Sequence, residues 1–201
     1  MRFIAFILAA FAVSSPAAAQ EWQDYTSPTD SFTIMVPTPP QIETTTYEVA
    51  DGRSVPARVY SVRQDKSEFK VTVAELANTG LDENAVIEHA IKSLSQGGKV
   101  TVNFPHRIYQ VYGRQVSLLG ADGSHTTAAM FDISGRLYQI EAKVLAGGNE
   151  FDLIRFQQSL VFERGISNRS PEAIRAIREA CRGGGAPNNP AGADDPRCAL
   201  K

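Results

Sequence analysis

In several runs of this chain, separated by turn dipeptides, apolar and polar residues alternate with a period of two. Across Glu68 to Leu76, Phe69, Val71 and Val73 point one way, and Lys70 and Thr72 the other. Across Leu137 to Leu145, Tyr138, Ile140, Ala142 and Val144 share a face, with Gln139, Glu141 and Lys143 opposite. That period belongs to pleated strands with unlike faces, and antiparallel sheets tolerate one wet face and one buried face. Asp51-Gly52 joins the runs Thr44 to Val49 and Val55 to Val62. Asp122-Gly123 and Ser134-Gly135 bracket the run Thr126 to Ile133. Short glycine turns of this kind make sequence neighbours into sheet neighbours. Further strands are expected at Ser31 to Val36, stopped by Pro37, Pro39 and Pro40, at Val100 to Phe104, closed by Pro105, and at Ile108 to Leu119, bent near Gly113.

Three segments change period. After Asp82, a capping residue, Val86, Ile87, Ala90, Ile91 and Leu94 form a helical stripe that Gly97-Gly98 ends. Asn149 caps a second helix whose buried side is read as Phe151, Ile154, Phe156 and Leu160. Ser170-Pro171-Glu172 opens a third, with Ile174, Ile177 and Cys181 on one face and Arg175, Arg178, Glu179 and Arg182 on the other. The expected fold class is α+β: a central antiparallel β-sheet flanked by helices in a helix–sheet–helix sandwich, followed by the C-terminal helix and a disulfide-tethered tail.

The amino terminus reads as an export signal. Met1-Arg2 precedes 11 unbroken apolar residues, Phe3 to Val13, then Ser14-Ser15-Pro16 and Ala17-Ala18-Ala19. The run is too short to span a bilayer, which takes about 20 residues, and the small residues suit cleavage before Gln20. The expected organisation is a signal peptide at 1–19, one domain at 20–163, and a C-terminal helix with a cystine-closed tail at 164–201. No later stretch is apolar enough for a transmembrane anchor, so the expected location is periplasmic or secreted. Cys181 and Cys198, the only cysteines, read as a disulfide in an oxidising compartment. It closes a loop of about 18 residues, constraining the unfolded chain by roughly 3 kcal/mol. Two cysteines at that separation lack the CxxC spacing of a zinc site.

Composition removes several classes. With 43% hydrophobic and 21% charged residues, the chain is neither disordered nor collagen-like nor a polytopic membrane protein. Loss of Arg2 with the signal lowers the net charge of −2 by one unit. No basic cluster accompanies it, which argues against a nucleic-acid partner.

Between Trp22 and Phe162 the chain resembles the PsbP-like (PsbP/Mog-type) α/β/α domain family, as an exported bacterial member. The resemblance rests on Trp22, Tyr25 and Phe32-Thr33-Ile34-Met35-Val36-Pro37 before the strands around Asp51-Gly52. It continues in Gly135-Arg136-Leu137-Tyr138-Gln139-Ile140 and in Phe156-Gln157-Gln158-Ser159-Leu160-Val161-Phe162. It implies a sheet with helices on both faces and a non-enzymatic accessory or binding role. It carries over no catalytic residues.

The remaining chemistry is sparse. His89, His106 and His125 are the candidate general bases, and all three read as surface residues. Glu88-His89 lacks the second ligand of HExxH, and Ser124-His125 has no GxSxG elbow. Gly183-Gly184-Gly185 follows a helix, so it cradles no phosphate. No catalytic, cofactor or metal site is legible. The expected function is an exported non-enzymatic accessory module that binds an envelope protein or small ligand, with Trp22 and Tyr25 either offering a contact face or packing on the sheet. The alternative is a small exported hydrolase or transferase with a histidine base.

Overall fold

The computed structural model describes residues 21–77 and 79–162. The expected signal peptide, the third helix, Cys181, Cys198 and the tail lie outside the described residues. Within them the chain forms β1 (Gln23–Ser27), β2 (Phe32–Val36), β3 (Gln41–Glu48), β4 (Ser54–Gln64), β5 (Ser67–Glu75), α1 (Glu83–Ser95), β6 (Lys99–Ile108), β7 (Val111–Leu119), β8 (His125–Ile133), β9 (Arg136–Val144), α2 (Phe151–Gln158) and β10 (Val161–Phe162).

Seven strands make one antiparallel sheet in the order β3-β4-β5-β9-β8-β7-β6. The glycine turns account for most of it. β3–β5 form one run of hairpins and β6–β9 a four-stranded meander. The two halves join where β9 pairs with β5, placing Ala142 opposite Phe69 and Tyr138 opposite Val73. β3 and β6 are the outer edges. Pro105 does not end its strand: β6 runs on to Ile108, and the turn falls at Tyr109, whose φ is 53°. An edge strand tolerates proline because it has ladder partners on one side only.

One sheet face is covered by α1. The Asp82 carboxylate accepts from Asn84 N at 2.9 Å and Ala85 N at 3.3 Å, capping the helix. Val86, Ile87, Ala90 and Ile91 then pack on Ala57, Ala74, Val116, Ala128, Met130 and Leu137. This face is not wet, despite the polar half of the alternation. Gln139 and Glu141 are buried, and Tyr47 donates to Gln139 Oε1 at 3.2 Å. Gln139 Nε2 donates to Glu141 Oε1 at 2.7 Å, and Lys70 pairs with the same oxygen at 3.0 Å.

The opposite face corrects the expected helix–sheet–helix sandwich. It is covered mainly by a second, three-stranded sheet of order β1-β2-β10, with α2 beside it. Phe32, Ile34, Val36 and Phe162 from the small sheet and Leu153 and Phe156 from α2 meet Tyr60, Phe69, Val71, Phe131, Tyr138 and Ile140. The described residues are thus mostly β. The reason is size: eight helical residues extend about 12 Å, whereas seven strands are about 29 Å across. A helix that short leaves most of the face to the β1–β2 hairpin, and part of it uncovered.

Candidate functional site

The densest polar cluster joins the two sheets. Asp30, in the turn between β1 and β2, has no solvent exposure. Its carboxylate accepts from Arg58 Nε at 2.8 Å and from Tyr60 Oη at 2.6 Å, and forms a close ion pair with Arg58. Glu75 accepts from Arg58 Nη2 at 3.1 Å and from Arg136 Nε at 3.0 Å. Tyr138 Oη donates to the Asp30 carbonyl at 3.0 Å. Burial pushes the Asp30 carboxyl up, but the hydrogen bonds from Arg58 and Tyr60 and the charges of Arg58 and Arg136 outweigh it, leaving the group below its ordinary range. Burial and the neighbouring carboxylate push Tyr60 up to about 12. These groups answer one another, so the cluster reads as a latch between sheets. Neither Asp30 nor Tyr60 is poised to give or take a proton near neutral pH.

The three histidines are not brought together. His89, expected to face water, is half-buried on α1, with Nε2 3.0 Å from the Glu48 carbonyl. His106 is only half-exposed, contrary to expectation: β6 lays its ring 5.8 Å from Phe131, and burial lowers its pKa. His125 opens β8 and pairs through Nδ1 with Glu150 Oε1 at 2.8 Å. Ser124, the adjacent hydroxyl, is buried and donates to Asp122 Oδ1 at 2.5 Å. It is engaged in the β7–β8 turn and is not paired with His125. Trp22 and Tyr25 brace the core. Trp22 meets Phe69 edge-on at 5.0 Å and carries the Arg155 guanidinium 4.8 Å above its ring. Tyr25 lies 5.8 Å from Tyr60.

The feature that sequence reasoning missed is an open trough beside α2. A cavity of about 480 Å³ lies between the start of this helix and β6–β8, lined by Thr101, Ser117, Leu119, Thr127, Phe151 and Ile154, with His125 and Glu150 also contributing. Phe151 is 79% exposed and Ile154 53%. Both were expected in the core. The buried side of α2 is instead Leu153, Phe156 and Gln157, with Leu160 following. That i, i+3, i+4, i+7 stripe was present in the sequence, and the equally apolar side chains at 151 and 154 obscured it. Single exposed apolar residues are ordinary, but a contiguous set around a concavity marks a contact surface. The His125–Glu150 pair ties the start of α2 to the sheet and adds a charged handle to a mostly apolar wall that also carries Thr101, Ser117 and Thr127.

Fold and trough together make a β-rich, two-sheet scaffold with one open, mostly apolar concavity among the described residues. No family model and no curated protein matches the chain. Among solved structures, the solution structure of cyanobacterial PsbP (CyanoP) from Synechocystis sp. PCC 6803 is similar to it, with a TM-score of 0.47 and 13% sequence identity. The match covers 76% of this chain and 98% of that one. A likeness so distant says nothing of what this chain binds. No described helix is long and apolar enough to cross a membrane.

Proposed function

We propose that the chain is an exported, non-enzymatic accessory module that binds an envelope protein through the trough beside α2. The observation that carries this reading is the placement of Phe151, Ile154 and Leu119, exposed together around one concavity. Apolar side chains of a partner filling it would bury surface worth roughly 25 cal/mol per Å², with His125 and Glu150 available for orientation. The leader at 1–19 supports a periplasmic or secreted location. A hydrolase or transferase with a histidine base finds no support in this geometry, since the imidazoles stand apart and the hydroxyl beside His125 is engaged elsewhere.

The test is site-specific photocrosslinking in the native envelope, with Ile154→p-benzoylphenylalanine in the full chain. One discrete heteromeric adduct is expected, and it should disappear on adding Phe151→Asp. That change is at an exposed position, where substitutions seldom alter stability by more than about 0.5 kcal/mol. No adduct, or one indifferent to Phe151→Asp, overturns the reading.

A further inference from the structure

A second uncovered surface lies on the same sheet face, nearer the β6 edge. Phe162 of β10 sits 5.4 Å from Phe131 and 5.2 Å from Tyr138, so β10 rests over β8 and β9. It is also an outer strand of the small sheet. Beyond it β7 and β6 continue, with Val111 and Ile108 still packed into the core at one end and the residues farther along more exposed. By register, Val102 stands opposite Ser117, Phe104 opposite Gln115 and His106 opposite Gly113, on the face that carries Phe131. Val102 and Phe104 are each 41% exposed. The result is a shelf carrying two exposed apolar side chains among Gln115, Ser117 and His106, bordered by β10 on one side and the sheet edge on the other and adjoining the trough at Ser117.

We infer that this shelf is the docking surface for the chain's own C-terminal segment, residues 170–182, whose apolar stripe Ile174, Ile177 and Cys181 lies against Val102 and Phe104. The chain leaves β10 at the border of the shelf, so its continuation starts beside the surface to be covered. β8 and β6 are two strand spacings apart, about 10 Å. The seven residues 163–169 reach up to about 23 Å, more than enough. Thirteen residues in the helix expected from the sequence would extend about 20 Å, within the length of a ten-residue strand, about 33 Å. An apolar stripe on the shelf leaves Arg175, Arg178 and Arg182 toward water. A second copy adding a strand to β6 fits less well. The register break between Val100 and Val102 and the proline at 105 both interrupt the edge ladder. The inference does not depend on what occupies the trough.

The experiment uses the full-length exported protein with Phe104→p-benzoylphenylalanine, irradiated as a monomer and mapped by mass spectrometry after digestion. An intramolecular adduct within residues 170–182 is expected. It should be lost in the Ile174→Asp/Ile177→Asp variant, and absent when the probe replaces Thr45 on the opposite edge strand. In the same double variant, amide exchange across Val102 to His106 should accelerate. An intermolecular adduct, no adduct to the C-terminal segment, or exchange unchanged by the double substitution overturns the inference. A tail adduct together with a negative trough experiment would remove the proposed partner and leave this contact standing.

Discussion

Replacing Asp30 with asparagine removes one charge from a position without solvent contact, in the turn that fastens the small sheet to the large one. The carboxylate receives charge-assisted hydrogen bonds from Arg58, each worth about 1.5–3 kcal/mol net. Breaking a fully buried pair costs about 3–5 kcal/mol, because the orphaned charge stays buried. Here the Arg58 side chain is 28% exposed and keeps Glu75 as a partner. The low end therefore applies, about 3 kcal/mol. For a domain of this size each kcal/mol moves Tm by about 2–4 °C, so Asp30→Asn should lower Tm by about 6–12 °C at neutral pH. Thermal melts followed by near-UV circular dichroism would measure it. The effect has a pH signature. The folded-state pKa of Asp30 lies below its usual value, so its contribution is complete above the unfolded carboxyl's pKa of about 3.9 and is lost as pH falls through the folded value. The gap between wild type and Asp30→Asn should thus be widest at neutral pH and shrink below about pH 4. A neutral-pH loss under about 2 °C, or a gap that widens on acidification, would refute the latch argument.

Two other outcomes are expected. Gly113→Ala should prevent stable folding of the β7–β8 region, because the added methyl would overlap the Met130 carbonyl oxygen and stand 2.6 Å from the Phe131 ring; native yield and melting of the variant check this. Protein exported through an oxidising compartment should show no titratable thiol under denaturing conditions, since Cys181 and Cys198 are expected to be joined. Two reactive thiols would contradict that pairing.

Much of the sheet was legible because its signals are local. Asp51-Gly52, Asp122-Gly123 and Ser134-Gly135 fix which strands follow each other, and the alternation in Glu68 to Leu76 fixes which side chains share a face. Asp82 capped its helix as its side-chain chemistry dictates. Other features were not legible. Pro105 reads as a strand terminator unless one knows that β6 lies at an edge. Phe151 and Ile154 read as core unless one knows which side of α2 meets the sheet. His106 reads as a surface histidine unless Phe131, on a strand two positions away, is known to lie beneath it.

Strand periodicity, most turn positions and the capped helix could be read from the chain alone, because each acts over a few neighbouring residues. It took the packed chain to establish that a short hairpin from the start of the domain and a two-residue strand from residues 161–162 combine to cover one sheet face, that Asp30 fastens the hairpin to Arg58 and Tyr60, and that α2 leaves a trough open. Those outcomes depend on area and reach between distant segments. A local period says which faces must be buried, while the extent of each covering element, set by how the whole chain closes, says which parts remain exposed to meet something else.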